Sequence, residues 1–172
     1  MREGGVTLIE LLVAVAIVAI LAAIAVPGFS AMRARAESAE CLSNLRQLGI
    51  ALNGYLGEND LVMPTVAAAR VSDGPAVATI DSVLLDYAGG EEVFRCPADP
   101  GVWRETGTSY FWNPTLSGQR ATALSFLNLT EALTRIPVLS DKEGWHRGGG
   151  SKVNVLYADG HATSGLRLEV GK

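Results

Sequence analysis
Gly4-Gly5-Val6-Thr7-Leu8-Ile9-Glu10-Leu11-Leu12 opens the stretch that decides the fold: residues 4–29 read GGVTLIELLVAVAIVAILAAIAVPGF. Between Val6 and Val26 the only ionisable group is Glu10, and the run stops at Pro27-Gly28. As a helix, residues 6–26 rise about 31 Å at ~1.5 Å per residue, close to the hydrocarbon thickness of a bilayer. The segment is therefore predicted to be a membrane span. A cleavable secretory signal is the competing reading, and Ala23-Ile24-Ala25 offers a small-x-small cleavage site. Such signals usually have an apolar core of roughly 7–15 residues. This core is longer and contains a carboxylate.

A charge inside a membrane span costs a few kcal/mol and calls for a partner or a function. Glu10 lies near one end, so snorkelling to the interface would make it tolerable without explaining its presence. Arginines add a counter-current. Arg33, Arg35 and Arg46 follow the span while Arg2 precedes it, so the positive-inside tendency alone would keep the C-terminal part in the cytoplasm.

The chain has 172 residues, 48% of them hydrophobic, and a formal charge of −4. Residues 1–57 hold Arg2, Arg33, Arg35 and Arg46 against Glu3, Glu10, Glu37 and Glu40, so all the net charge lies in residues 58–172. That region shows no basic stripe interleaved with aromatics, which argues against a nucleic-acid surface. Once the opening run is set aside, the composition is that of one ordinary globular domain.

Beyond Pro27 the pattern becomes amphipathic. Cys41, Leu45, Leu48, Leu52 and Tyr55 recur at helical spacing on one face, opposite Arg35, Ser43, Asn44, Arg46, Gln47 and Asn53. Gly49 and Gly54 weaken any coiled-coil reading, so the stripe is expected to pack on a sheet of the same chain. Gly57 followed by Glu58-Asn59-Asp60 supplies the stop. Three regions result: residues 1–5, a helix over 6–57 of about 75 Å whose 6–26 part is the span, and a globular domain over 58–172.

Gly5-Val6-Thr7-Leu8-Ile9-Glu10-Leu11-Leu12 resembles the processing signal of type IV prepilins and type II secretion pseudopilins. The resemblance implies cleavage between Gly5 and Val6 by a prepilin peptidase and methylation of the new amino terminus. Val6 stands where phenylalanine or methionine is commoner. The resemblance also implies a kink at Pro27 and a filament-assembly role for Glu10, fifth from the cut. A subunit could there set Glu10 against the ammonium of its neighbour, pairing two charges that are each costly alone. Two further segments, Cys41-Leu42-Ser43-Asn44-Leu45-Arg46-Gln47-Leu48-Gly49 and Phe94-Arg95-Cys96-Pro97-Ala98-Asp99, are similar to those of a pseudopilin-like group with a C-terminal H-x9-DG motif. Here twelve residues, not nine, separate His146 from Asp159-Gly160.

In the globular part, residues 61–79 read as a loop and Ile80 to Tyr87 as a short helix ended by Gly89-Gly90. Thr108 to Trp112 is a strand candidate, Leu124 to Leu133 a helix candidate and Ile136 to Ser140 a buried strand. Val153 to Tyr157 and His161 to Val170, joined through Asp159-Gly160, form the strongest hairpin signal. The predicted class is α+β: a pilin-like fold with one long N-terminal helix against a small antiparallel sheet.

Cys41 and Cys96 are the only cysteines. In an oxidising compartment they could be bridged, and closing that loop would contribute ~4 kcal/mol in the chain-entropy model. The alternative is two separate buried thiols. Asp141, Glu143, His146, Asp159 and His161 surround the glycine-rich stretch Gly148-Gly149-Gly150. Asp141, Glu143 and Asp159 would suit Ca²⁺, which major pseudopilins bind in a C-terminal loop, and the histidines a transition metal. None of these spacings is a ligand signature, so the expectation is no metal and no cofactor, with Asp159 serving the turn. No strained elbow frames Ser140, so no enzyme is expected. Asn128-Leu129-Thr130 matches a glycosylation sequon of little specificity.

Two functional readings follow. In the first, the chain is a structural subunit of a type IV pilus-like or type II secretion pseudopilus filament. It would be a single-pass inner-membrane protein with an extracytoplasmic C-terminal domain. Its partners would be the lipid bilayer, the prepilin peptidase, the inner-membrane assembly machinery and copies of itself in a helical filament in the periplasm or at the cell surface. In the second, it is a membrane-tethered module whose C-terminal loop binds a metal or ligand. A conventionally secreted soluble protein would require cleavage after Ala25.

Overall fold
The computed structural model describes residues 7–70, 77–127, 132–146 and 152–165. Its axis is one helix, α1 (Leu8–Glu58), which runs unbroken through Pro27 for 51 residues. Asn59 ends it: its backbone N–H donates to the Leu56 carbonyl at 3.3 Å and its side-chain amide to the Tyr55 carbonyl at 2.8 Å. Asp60 and Leu61 then turn the chain at φ 51° and 58°.

The two halves of α1 face different surroundings. From Leu8 through Met32 the large apolar side chains are exposed on every side of the helix. From Cys41 onward one face is buried: Cys41, Leu45, Leu48 and Leu52 sit in the core and Tyr55 lies partly buried beside them. Leu56 extends the same stripe. That face packs on a four-stranded antiparallel meander, chiefly on its last two strands. The strands are β1 (Tyr110–Trp112), β2 (Pro137–Asp141), β3 (Asn154–Tyr157) and β4 (Ala162–Ser164). Register sets Tyr110 opposite Asp141, Leu139 opposite Leu156 and Leu156 opposite Ala162. This is the expected α+β arrangement of one long helix against a small antiparallel sheet.

Gly49 and Gly54 mark where α1 comes closest to its neighbours. A Cβ on Gly49 would lie 3.2 Å from Leu156 Cδ1 in β3, and one on Gly54 3.1 Å from Tyr87 Cδ1. Tyr87 belongs to α2 (Ile80–Ala88), which starts at Thr79 with its backbone N–H bonded to Ser82 Oγ at 3.0 Å. The expected helix from Ile80 is thus present, and Gly89, at φ 79°, ends it.

Several expectations need correction. The helix expected over Leu124 to Leu133 does not form in the described residues of that stretch. A 3-10 turn occupies Ala121–Ala123, Leu124 is extended, and a second 3-10 turn occupies Leu133–Arg135. The physical reason is local. The Gln119 side-chain amide donates to the Ser125 carbonyl at 3.0 Å, the group a helix would have paired four residues on, and accepts from the Ser125 N–H at 2.7 Å. Residues 128–131, which include the sequon, lie outside the described residues. The strand expected from Thr108 begins at Tyr110, because Thr108 and Ser109 both bond the Phe94 carbonyl instead. The last strand is Ala162–Ser164: His161 falls outside it, Gly165 follows it at φ 99°, and residues 166–170 of the expected run lie outside the described residues. A short helix not foreseen, α3 (Val102–Thr106), follows a 3-10 turn at Glu91–Phe94.

Candidate functional site
Two places carry candidate function. The first is the start of α1. Thr7 is its N-cap: the Glu10 N–H donates to Thr7 Oγ1 at 3.3 Å, while Glu10 Oε2 accepts from the Thr7 N–H at 2.9 Å and from its hydroxyl at 2.7 Å. This is a reciprocal capping box, in which two helix-end donors are satisfied at once. Glu10 therefore has a local partner within a single subunit. The signature Thr-x-x-Glu before an apolar run was legible in the sequence, and reading Glu10 as a charge in the span and an assembly contact missed its capping role. Gly5 and Val6, the expected cleavage site, lie outside the described residues. Beyond the cap, α1 is long and apolar enough to cross a membrane, and none of its most apolar window is buried by the rest of the chain.

The second place is at the other end of the same helix. Cys41 on α1, Cys96 in the loop after the Glu91–Phe94 turn, Asp141 at the end of β2 and His146 just beyond it converge. One potential ligand atom from each lies within 4.8 Å of the others, and all four residues are buried. Cys41 Sγ is 3.0 Å from Asp141 Oδ1, Cys96 Sγ is 3.4 Å from His146 Nε2, and His146 Nε2 is 3.0 Å from Asp141 Oδ2. The cysteines, expected to be either bridged or two separate buried thiols, are buried and free here, with their sulfurs within 4.8 Å of each other. Of the carboxylates considered for a metal, Asp141 alone belongs to this group. Glu143 accepts from the Trp145 indole at 3.2 Å. Asp159 holds the β3–β4 turn by bonding the backbone and ring of His161, whose ring stacks on Tyr157 at 4.5 Å.

Local structure explains why the four meet. Asn44, three residues after Cys41 and expected on the polar face, instead reaches the domain, donating to the Arg95 carbonyl at 2.9 Å and so fixing the loop next to Cys96. Asp99 accepts from the N–H groups of Gly101, Val102 and Trp103 at 2.7, 2.7 and 3.0 Å, and from the Ser109 hydroxyl at 2.6 Å. Ser109 Oγ in turn accepts from the Cys96 N–H at 2.9 Å. The two segments that carry the pseudopilin-like resemblance thus meet in space around this group. Asp141 is held by the Asn154 N–H at 2.7 Å, and Tyr110 brings its hydroxyl to 3.5 Å from Cys41 Sγ.

The electrostatics are those of a confined acidic cluster. Its hydrogen bond with Cys96 and its burial push the Cys41 thiol well above the ordinary range. Burial pulls His146 down, but the bonds and charges of Asp141 and Cys41 outweigh it and push the imidazole up to about 9. Nδ1 of His146 is buried without a partner among the described residues. A groove of about 470 Å³ with Glu37, Ala98, Pro100, Glu143 and Trp145 in its wall opens onto His146.

Comparison with known proteins bears on the first place. Residues 1–26 match the family described as the prokaryotic N-terminal methylation motif. Over 59 residues the chain is 46% identical to the type IV major pilin protein PilA of Myxococcus xanthus (strain DK1622). That stretch is 34% of this chain and 27% of the pilin's own length. No solved structure matches the chain. The amino-terminal part therefore carries the prepilin-type motif of type IV pilins.

Proposed function
We propose that this chain is a structural subunit of a pilus or pseudopilus, anchored in the inner membrane by α1 and polymerised through it. The observation that carries this reading is the pairing of a prepilin-type motif with a helix whose first half is bare on every side. Apolar side chains exposed from Leu8 to Met32 must be covered by lipid or by other helices. A helix that can exchange one cover for the other is what extraction from a bilayer into a filament requires. The globular domain, packed only on the second half, would form the outer layer and lie on the extracytoplasmic side.

In this reading a prepilin peptidase cuts between Gly5 and Val6, and the amino terminus of Val6 is methylated. The cut leaves Thr7 in place, so the capping box survives in the membrane-bound subunit and lowers the cost of carrying Glu10 there. On entering the filament, Glu10 meets the ammonium of a neighbouring subunit. Removing one partner of such a desolvated pair typically costs ~3–5 kcal/mol, which is enough to select axial register.

Glu10→Gln tests the mechanism because glutamine also closes a capping box while lacking the charge. The variant is expected to insert and be processed normally yet fail to enter filaments. Normal assembly of Glu10→Gln would show that capping is the whole role of the residue.

A further inference from the structure
We propose that Cys41, Cys96, Asp141 and His146 form a structural zinc site that fastens the globular domain to the long helix. The donor set fits zinc by type. Two thiolates, one imidazole and one carboxylate are ligands for a borderline-soft cation, whereas calcium and magnesium take oxygen alone. The geometry fits as well. A tetrahedral zinc with bonds of about 2.3 Å to sulfur and about 2.0 Å to nitrogen or oxygen has edges of about 3.8 Å between sulfurs. The same geometry gives about 3.5 Å between sulfur and a lighter atom and about 3.3 Å between nitrogen and oxygen. The observed separations are 3.4 Å for Cys96 Sγ to His146 Nε2 and 3.0 Å for His146 Nε2 to Asp141 Oδ2. Cys41 Sγ to Asp141 Oδ1 is 3.0 Å. These three separations lie within about half an ångström of the tetrahedral edges, and one donor atom from each of the four residues lies within 4.8 Å of the others.

The surroundings are those of a site that is held, not of four residues that drift together. Asp141 is oriented by the Asn154 N–H, the Cys96 backbone is anchored by donating its N–H to Ser109 Oγ, and the Tyr110 hydroxyl can donate to Cys41 sulfur. Such outer partners fix ligand direction in zinc proteins. Four protein ligands leave no open position, which marks the site as structural. The groove that opens onto His146 gives the ion a way in. Binding displaces the two thiol protons and one proton of the His146 imidazolium, and leaves every sulfur at its original oxidation state, so no oxidant is consumed.

The site joins segments far apart in the chain: α1, the loop before α3, the end of β2 and the turn after it. It would do without oxidation what a disulfide does in an oxidising compartment. Because it involves neither Glu10 nor the cleavage site, it stands independently of the filament reading.

The test uses the full-length chain extracted from membranes in detergent and washed with a weak chelator. Elemental analysis is expected to find one zinc per chain, with both cysteines resistant to alkylation until a strong chelator is added. Cobalt(II) exchanged into the site should show tetrahedral ligand-field bands and thiolate charge-transfer absorption. His146→Gln is expected to lower zinc affinity by ~100-fold or more, and Tyr110→Phe by ~10-fold to 100-fold with the sheet retained. A zinc-free chain lighter by two hydrogens, and restored by reductant, would show a Cys41–Cys96 disulfide and overturn the proposal. So would a zinc-free chain with both thiols free that takes up no cobalt, or a His146→Gln chain that binds zinc as tightly as the original.

Discussion

Thr7 and Glu10 show how one side chain can hold two jobs at different stages. In the single subunit the pair closes a capping box, and in the proposed filament the same carboxylate is released to a neighbour's ammonium. Thr7→Ala removes the cap and spares the charge, so it should lower the helicity of the first turn and leave assembly largely intact. Amide exchange at the start of α1 and filament yield measure the two effects separately. Asp99 is a second residue with a sharp expectation. It satisfies three backbone donors and the Ser109 hydroxyl. Asp99→Ala should cost roughly 2–3 kcal/mol, since buried donors would be left unpaired, and urea unfolding followed by tryptophan fluorescence would show it.

Along a single element, α1 changes role from one end to the other. Leu45 is fully buried under the sheet while Ile50, barely more than a turn later, is 70% exposed. Leu45→Ala should therefore destabilise the domain by ~2–5 kcal/mol, and Ile50→Ala should stay within about 0.5 kcal/mol, as read by the same urea transition. The periodicity that separates these positions was visible in the sequence, because amphipathic spacing reports directly which face meets the core. So was the hairpin at Asp159-Gly160, where the turn residues have few alternatives. The region from Leu124 to Leu133 was not legible. Its apolar residues permit a helix, but the Gln119 side chain, distant from most of that segment, takes the backbone groups at Ser125. Propensity cannot foresee a side chain that takes up backbone groups six residues further on.

For the whole molecule, local patterns were informative where function is written in one segment, and uninformative where it is assembled from several. The processing signal and the apolar run lie together in the first 26 residues and match a known motif over that span. The buried group draws on residues 41, 96, 141 and 146, which share no spacing. Its convergence depends on β1–β2 register, with Tyr110 opposite Asp141, and on Asn44 gripping the loop at Arg95. In sequence the cysteines suggested a bridge and Asp141 and His146 suggested a polar loop, and only the fold merges the two pairs. If the group fastens the domain to the helix, metal removal should loosen the headpiece and leave the span in place. Limited proteolysis after strong chelation should release the globular domain faster while the membrane-bound α1 fragment remains.

The most direct measurement is the intact mass of the chain extracted from its native membrane, with sequencing of its amino-terminal fragment. A chain that begins at methylated Val6, with Glu10 and the whole apolar run retained, is the predicted result. A chain that begins just after Ala25 would have lost both the span and Glu10, and would contradict a filament subunit outright.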